Sequence, residues 1–270
     1  NYSATIDWGD GTSMAADSIS GSGNSFIVTG SHTYAAGGDY ALNVAIADQD
    51  GSTANVVAHA FINSPVAPFV TTAFQDVLHR ATDDSGLSYW TQQIAGGTSP
   101  SQFASDLTHS AEYYATNVIG PAYRTFLGRG ADASGLAYWT GLMQQGMTDQ
   151  QLDADFIASP EYYANAGGTN AAWINHLYQT VLGRSADSAG MSFWASQLAG
   201  GASRSTVAID FAASQEHVTQ AVQNDYFTYL GRAASAGEVN YWVAQFEHGA
   251  SNEDIVSGFV GSPEFYKLHS

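Results

Sequence analysis

Arginine, tryptophan and glutamate recur four times along this chain in the same order and at the same spacing. Tryptophan follows arginine by ten positions, and glutamate follows tryptophan by twenty-two. The four sets are Arg80, Trp90 and Glu112; Arg129, Trp139 and Glu161; Arg184, Trp194 and Glu216; and Arg232, Trp242 and Glu264. Such a period predicts stacked structural units, because a unit of about fifty residues cannot bury its own apolar face and needs its neighbours.

Charged residues are scarce outside this pattern. The chain has seven lysines plus arginines and seven glutamates, and four of each seven occupy the repeat positions. A partly buried guanidinium needs a carboxylate, which it binds through two parallel hydrogen bonds. We therefore predict an architectural Arg–Glu ion pair in each unit, and losing one partner of a buried pair would cost about 3–5 kcal/mol. Four separate anion-binding or acid-base sites are the alternative interpretation.

Composition narrows the functional classes. Twenty-five acidic residues against seven basic ones give a net charge of −18, which disfavours binding to nucleic acid or to anionic lipid. The apolar runs are too short to span a bilayer, so we expect no membrane insertion, and the absence of cysteine removes thiolate chemistry. The N-terminus lacks a signal-peptide pattern and suggests a mature or trimmed chain. A surface rich in small polar residues, with Lys267 as the only lysine, is typical of exported bacterial proteins.

Residues 1–63 alternate apolar and polar side chains with a period of two. Gly37-Gly38-Asp39 and Asp48-Gln49-Asp50-Gly51 separate the alternating runs, as tight hairpin turns do. This region therefore predicts a small antiparallel sheet or sandwich. Residues 64–68, with two prolines, predict a short linker.

Three segments of this region resemble the PKD-like, immunoglobulin-type modules of bacterial surface proteins. They are Asp7-Trp8-Gly9-Asp10-Gly11-Thr12, His32-Thr33-Tyr34 and Gly38-Asp39-Tyr40. The resemblance implies a sandwich of about seven strands, whereas only about five fit before residue 63. We expect either that the chain is a fragment of a longer protein, which we favour, or that another chain supplies the missing strand by edge pairing.

Residues 69–270 show the three- and four-residue apolar spacing of amphipathic helices. Serine or threonine caps and glycine stops predict three helices in each of four units, at about 69–117, 118–166, 167–221 and 222–270. A Ser-x-Glu segment near the end of each unit predicts a further helix start, where the glutamate also favours the positive end of the helix dipole.

The second unit carries a family resemblance. Leu127-Gly128-Arg129, Asp132, Gly135-Leu136, Tyr138-Trp139 and Ser159-Pro160-Glu161-Tyr162 resemble the helical DUF4214 family of large exported bacterial proteins. This resemblance, over about residues 69–270, implies no established reaction; the family accompanies surface-layer, adhesin-like and calcium-repeat proteins. Two units depart from the pattern. His79 stands where glycine precedes the arginine elsewhere, and the fourth unit has Ser235 and Glu238 in place of the loop aspartate and glycine.

The remaining candidates are aromatic and acidic. The aromatic pairs that end in Trp90, Trp139, Trp194 and Trp242 could stack on sugars, but at helical spacing in an apolar stripe we predict that both residues of each pair belong to the core. Calcium is the candidate metal, because aspartate oxygens cluster in the predicted turns. The candidate ligands are Asp7, Asp10, Asp48, Asp50, Asp83 and Asp84. The histidines show no metal spacing, and no nucleophile elbow or phosphate loop is present.

These observations predict a β module followed by an all-α region: a small antiparallel β-sandwich and then four stacked three-helix repeats. We interpret the chain as a non-enzymatic structural or adhesive component of an extracellular or cell-surface bacterial protein. It would require no cofactor and would assemble with its own copies or with other surface proteins into a layer or filament. A glycan-binding module that grips polysaccharide is the alternative, and an enzyme is the third class.

Overall fold

The computed structural model describes residues 2–22, 25–35, 37–62, 64 and 66–269. These residues divide into two compact units. The β-containing unit comprises the described residues of 1–75 and 80–98 together with His269, and the helical unit comprises residues 76–79 and 99–268.

The β-containing unit has six described strands in two antiparallel sheets. The strands are β1 (Tyr2–Asp7), β2 (Ser13–Ala15), β3 (Ser18–Ser22), β4 (Ser25–Thr29), β5 (Gly38–Asp48) and β6 (Thr53–Ile62). The larger sheet has the order β2-β1-β5-β6, and β3 pairs with β4 in the smaller one. The alternating pattern thus forms antiparallel sheets, with one strand more than the five that the sequence predicted.

Alternation places one face of β1 in the core. Ala4, Ile6 and Trp8 are buried, whereas the residues between them are exposed, as the two-residue period of a half-buried strand requires. In the long β5–β6 hairpin, Tyr40 lies opposite Ala60 and Val44 opposite Val56. The turn of this hairpin is Asp48-Gln49-Asp50-Gly51, as the sequence predicted.

Fifteen α-helices follow in the described residues. They are α1 (Val66–Leu78), α2 (Asp84–Ala95), α3 (Pro100–Thr108), α4 (Ala111–Tyr113), α5 (Gly120–Leu127), α6 (Ala133–Met143), α7 (Asp149–Ala158), α8 (Pro160–Asn165), α9 (Asn170–Val181), α10 (Ser188–Ala199), α11 (Arg204–Ala212), α12 (Gln215–Leu230), α13 (Ala236–Glu247), α14 (Asn252–Val260) and α15 (Pro263–His269).

The first helix starts inside the predicted linker. Helix α1 begins at Val66, so Ala67 and Pro68 form its first turn instead of a linker. Proline is tolerated there because the amides of a first helical turn have no intrahelical acceptor. Pro65, the other proline of the predicted linker, lies outside the described residues.

The Ser-x-Glu helix is shared between successive units. Helix α4, a π-helical turn at Tyr114–Ile119 and α5 run without interruption from Ala111 to Leu127, and α12 runs from Gln215 to Leu230. Between α8 and α9, by contrast, Gly167 and Gly168 have φ angles of 104° and 68° and break the helix. The sequence predicted the start of these helices but missed their continuation into the next unit.

Contacts within the helical unit join equivalent helices of different repeats. Helix α7 packs against α11, and α3 packs against α14. The Ser101 hydroxyl donates a hydrogen bond to the Gly261 carbonyl at 3.3 Å, which links the first and fourth units directly. A linear stack would limit each unit to contacts with its sequence neighbours, so the contacts between the first and fourth units depart from the stacked arrangement that the sequence predicted.

Buried apolar residues of the third unit illustrate the core. Trp173 on α9 is completely buried, and its indole N–H donates to the Ile157 carbonyl at 3.0 Å. Leu177 and Ile174 on the same helix are also fully buried.

Among the described residues, no helix has both the length and the apolar character needed to cross a bilayer.

Candidate functional site

An Arg–Glu pair holds the same two elements together in the second, third and fourth units. The arginine lies just after the first helix of the unit, and the glutamate lies in the first turn of a helix capped by serine. Each guanidinium donates from Nε and Nη2 to the two carboxylate oxygens. The six distances are 2.8 and 3.0 Å for Arg129–Glu161, 2.6 and 2.8 Å for Arg184–Glu216, and 2.7 and 2.8 Å for Arg232–Glu264.

Each of the three pairs forms within its own unit, and its two residues are thirty-two positions apart in the sequence. This resolves for these units whether each arginine meets its own glutamate or that of a neighbour. In the first repeat, Arg80 falls in the β-containing compact unit and Glu112 falls in the helical compact unit. Their pairing stays a prediction.

An aromatic ring supports each of these guanidinium groups. The Cζ atoms of Arg129, Arg184 and Arg232 lie 4.9, 4.8 and 4.8 Å from the ring centres of Tyr123, Tyr178 and Tyr226. A guanidinium stacks on such a ring through its planar charge while its edges remain available for hydrogen bonds. The fork is therefore held in place before it binds the carboxylate.

The pairs are exposed, contrary to the partial burial that the sequence suggested. The side chains of Arg184 and Glu216 retain 42% and 40% of their accessible surface. Hydrogen bonds to the arginines lower the pKa of Glu161, Glu216 and Glu264. At this exposure a pair contributes about 0.2–1 kcal/mol, far less than a buried pair would.

The fourth unit compensates for its departures from the pattern. Glu238 stands where the other units have glycine, and it offers Arg232 a second pair of oxygens, at 2.7 and 3.1 Å from Nη2 and Nη1. It also accepts from the Ser235 amide while the Ser235 hydroxyl accepts from the Glu238 amide, which closes a capping box. Arg232, followed by the amide and hydroxyl of Ser235, lowers the pKa of Glu238 to about 2.

The loop aspartates are helix caps. Asp83, Asp132 and Asp187 accept hydrogen bonds from the amides of Gly86, Gly135 and Gly190 at 2.6, 2.8 and 2.7 Å. Each is the N-cap of the helix that carries the repeat tryptophan. A carboxylate at this position satisfies an amide that has no intrahelical partner. Serine performs the same task in the fourth unit, so its substitution there is conservative.

The repeat tryptophans are half-buried. In the last three units the Trp139, Trp194 and Trp242 rings lie 5.2, 4.9 and 5.2 Å from the buried rings of Phe156, Phe211 and Phe259. The aromatic residue before each tryptophan faces solvent instead. Tyr89, Tyr138, Phe193 and Tyr241 are 54%, 61%, 53% and 56% exposed, so the assignment of whole pairs to the core was wrong for these residues.

The calcium candidates are turn and cap residues. Asp7 accepts from the Gly9 amide, Asp10 from the Thr12 amide and hydroxyl, and Asp48 from the Asp50 and Ser52 amides. Asp84 lies in the first turn of α2, which Asp83 caps. Within the described part of the chain, no group of three or more histidine or acidic side chains has the geometry to hold a metal ion.

The segments that resemble PKD-like modules lie together. The Trp8 and His32 rings stack at 5.0 Å, and the Tyr34 hydroxyl donates to the Trp8 carbonyl at 3.1 Å. His32 Nε2 lies 2.7 Å from Asp10 Oδ2. Hydrogen bonds from Thr12, then His32, lower the pKa of Asp10 to about 2. The Tyr34 ring stacks in turn on Tyr40 at 4.2 Å, so the three segments contact one another.

Sequence reasoning missed the role of Asp39. Its side chain is only 8% exposed and lies 3.0 Å from His59 Nδ1. The Ser88 hydroxyl and the Gln92 amide donate to its other oxygen at 2.7 and 3.1 Å. The serine donates to the carboxylate and not to the imidazole, so the order of groups differs from that of a nucleophile activated by histidine. Asp39 instead joins β5 to α2.

These features define a helical, repeat-like protein in which the second, third and fourth units carry an aromatic-supported Arg–Glu fork. The model of a family described as Domain of unknown function (DUF4214) matches residues 53–117, 116–165, 153–221 and 219–269. The chain belongs to this family. No curated protein and no solved structure matches it. The first match begins at residue 53, inside β6, whereas the sequence resemblance was placed from residue 69.

Proposed function

We propose that this chain is a non-enzymatic structural or adhesive component of an exported bacterial surface protein. Copies of it would assemble outside the cell by pairing along the outer edge of β6. The observation that carries the proposal is the exposure of this strand. β6 forms one edge of the larger sheet, and no other described strand pairs with its outer side.

The exposed part of β6 is apolar and uncharged. Val56 and Val57 are 56% and 66% exposed, and residues 53–57 are exposed on both faces of the strand. Proteins usually protect a long edge with lysine, proline or inward-facing charge, and Thr53–Ile62 contains no lysine, proline or acidic residue. Two such edges can pair antiparallel about a two-fold axis, since this arrangement matches a surface to itself.

Two further features support a surface role. The three PKD-like segments of the β-containing unit resemble parts of sandwich modules. A further strand would complete the sheet of such a module. The net charge of −18 keeps separate copies apart at low ionic strength, so salt would promote their assembly by screening this repulsion. Calcium or another cation at the surface would act in the same direction.

Analytical ultracentrifugation over a range of protein concentrations tests the proposal, at low and at high salt. We expect concentration-dependent association that strengthens with salt. Val57→Glu should weaken the association by at least roughly tenfold, because it places a charge on the pairing edge. A tenfold change in affinity corresponds to about 1.4 kcal/mol. Ile27→Glu is the matched control, since Ile27 is 65% exposed on β4, away from this edge. A chain that remains monomeric under every condition would overturn the proposal.

Glycan binding is the second candidate, favoured by the repeated exposed aromatics. Tyr138, Phe193 and Tyr241 each present more than half of their surface to solvent and pack edge-on against the next tryptophan, with ring centres 5.0, 4.8 and 5.0 Å apart. A rigidly held ring is suited to stacking on a sugar face.

Sedimentation with insoluble polysaccharides tests this candidate. The triple variant Tyr138→Ala, Phe193→Ala and Tyr241→Ala should lose binding if the rings stack on sugars. Phe227→Ala is the control, because Phe227 is 65% exposed but stands outside the aromatic pattern. Equal retention of the wild type and the triple variant on every polysaccharide would exclude a glycan role for these rings.

A further inference from the structure

The helical unit contains four carboxylates that no repeat pattern predicts. Asp149 and Asp153 lie on α7, Asp225 on α12 and Glu253 on α14. The Asn252 amide donates to Asp149 Oδ1 at 3.3 Å. The N-termini of α7 and α14, from the second and fourth repeats, therefore meet at an acidic residue. We refer to these four residues as the carboxylate cluster.

Two members of the cluster lack hydrogen-bond partners. Glu253 is 2% exposed, and neither of its carboxylate oxygens makes a hydrogen bond of normal geometry. Asp225 Oδ2 is also buried without a partner. A buried carboxylate without partners is strongly disfavoured when ionised, whereas its protonated form carries no charge. The arrangement therefore suits carboxylic acids better than carboxylates.

The groups around the cluster offer little positive charge. On the described elements packed nearby, Tyr113 and Tyr114 come from the α4 segment, Tyr229 comes from α12, and Asp76 comes from α1. His109 Nε2, which lies 3.4 Å from Asp254 Oδ1, is the nearby basic side chain that acts on Glu253. Neither lysine nor arginine contributes to the pKa shifts of the four acids.

The pKa values follow from this environment. Burial, then the charge of Glu253, raises the pKa of Asp153 to about 7. Burial alone raises the pKa of Asp225 to about 7. Burial, followed by Glu253 and Asp153, raises the pKa of Asp149 well above its usual range, and burial raises that of Glu253 although nearby Ser251 partly offsets it.

A cavity of about 230 Å³ adjoins the cluster, and Asp149, Asp153, Asn252, Tyr113 and His217 are among its lining residues. Burial lowers the pKa of His217, so this histidine favours its neutral form and supplies no counter-charge. The cavity has room for several water molecules, each of which occupies about 30 Å³ in the liquid. Water can therefore reach the acids when they ionise.

We propose that the carboxylate cluster is a proton-controlled latch. When protonated, it lets α7, α12 and α14 pack together; when ionised, repulsion among Asp149, Asp153 and Glu253 and hydration of all four carboxylates loosen these helices. A proton is a better occupant than a metal ion, because no three described acidic or histidine side chains are arranged to hold a metal. The latch does not depend on the β6 edge and concerns the helical unit alone.

The sign of the pH effect is defined by the two pKa values. Asp153 and Asp225 ionise near pH 4 in an unfolded chain and near pH 7 in the folded one. Between these values the folded chain holds protons that the unfolded chain has released, so stability falls as pH rises. The penalty is complete above about pH 7 and absent below about pH 4.

Urea unfolding of the full chain from about pH 5 to pH 8, followed by circular dichroism, tests the latch. Each of Asp153→Asn and Asp225→Asn should stabilise the helical unit at pH 8. In the wild type, each titrating proton raises the unfolding equilibrium constant by up to roughly tenfold per pH unit between pH 5 and 7. Each variant removes one such proton, so its unfolding constant should rise less steeply with pH. Asp210→Asn is the control, since Asp210 is exposed on α11.

A second measurement does not require that the variants fold. Carboxyl-carbon chemical shifts of the wild-type chain, followed by NMR as pH changes, report the ionisation of each acid directly. We expect at least two aspartates to titrate near pH 7. Titration of every aspartate below about pH 5, or an unchanged pH profile in folded Asp153→Asn, would overturn the proposal.

Discussion

His79 adopts the left-handed backbone conformation that glycine occupies at the equivalent position of the next unit. Its φ angle is 55°, compared with 67° for Gly128. Gly183 and Gly231 fill the same position in the last two units, with φ angles of 65° and 63°. The fold therefore imposes one backbone geometry just before each repeat arginine, whichever residue is present.

This geometry predicts that His79→Gly stabilises the protein. A side chain in the left-handed region costs about 1–2 kcal/mol, whereas glycine enters it freely. We expect a gain of about 1 kcal/mol in the free energy of unfolding, after allowance for the greater freedom of glycine in the unfolded chain. Thermal denaturation of the wild type and of His79→Gly, measured side by side, gives the difference in stability.

Two glycine substitutions serve as controls for that experiment. Gly128→Ala should destabilise by a similar amount, because it introduces the strain that His79 already bears. Gly130→Ala should have little effect, since Gly130 has no positive φ angle and no atom near the position of an added Cβ. A destabilised His79→Gly would mean that the imidazole makes contacts worth more than its backbone strain.

Gly135 and Gly141 lie on the same helix and should respond oppositely to alanine. A Cβ on Gly135 would overlap the Tyr123 hydroxyl, whereas a Cβ on Gly141 meets no atom. We expect Gly135→Ala to destabilise by at least about 1 kcal/mol through overpacking, and Gly141→Ala to stabilise by about 0.5–1 kcal/mol through helix propensity.

Tyr123→Phe provides the test of cause. Removing the hydroxyl makes room for the added methyl group, so the double variant Tyr123→Phe, Gly135→Ala should recover part of the lost stability. Chemical denaturation of the four chains forms a double-variant cycle. A coupling energy near zero would show that the overlap is relieved elsewhere.

Glu216→Gln should cost about 0.2–1 kcal/mol at neutral pH and low salt. The pKa of Glu216 is lowered in the folded chain by Arg184, so the pair contributes above the pKa of the unfolded chain and is lost as pH falls through the folded value. The difference between the wild type and the variant should disappear once the pH falls below the folded pKa of Glu216, and it should shrink at high salt.

Urea titrations at two pH values and two salt concentrations measure this difference. Glu247→Gln is the control, because Glu247 is exposed and is not part of an Arg–Glu fork. A loss of several kcal/mol for Glu216→Gln would imply that the fork acts as a buried pair despite its exposed surface.

Asp39→Ala should weaken the β-containing unit. It removes the acceptor of Ser88 and Gln92 and the partner of His59, and leaves at least one buried donor without an acceptor. We expect a loss of at least about 2 kcal/mol. Hydrogen exchange of the β5 and β6 amides measures it, and Asp50→Ala, in the exposed hairpin turn, should leave their exchange nearly unchanged.

Local rules were enough to predict the capped helices and the antiparallel hairpin. The Ser-x-Glu helix starts and the fixed arginine-to-glutamate spacing concern partners that the period itself identifies, whereas Asp83, a calcium candidate, proved to be a helix cap. The exposed Tyr138 was misassigned because Tyr138 and Trp139 were treated as one feature. Adjacent helical residues point about 100° apart, so a stripe that buries one side of Trp139 leaves Tyr138 in water.

The carboxylate cluster could not be predicted in this way. Asp149 lies in the second repeat, and Asp225 and Glu253 lie at unrelated positions of the fourth, so only the packing of α7, α12 and α14 relates them. Asp39 poses the same problem, because its partners lie forty-nine and fifty-three residues later on α2. The repeat period identifies residues that are common to the units, whereas the carboxylate cluster and the Asp39 contacts depend on residues outside that common pattern.

Gly167 and Gly168 have a consequence for how such chains can be enlarged. Helices cross the junction between the first two units and the junction between the last two, so cutting either would sever a helix. The glycine pair is the one junction between successive units at which the described helices stop. Adding or removing two units at this junction would therefore sever no described helix, but it would disrupt the packing between α7 and α11.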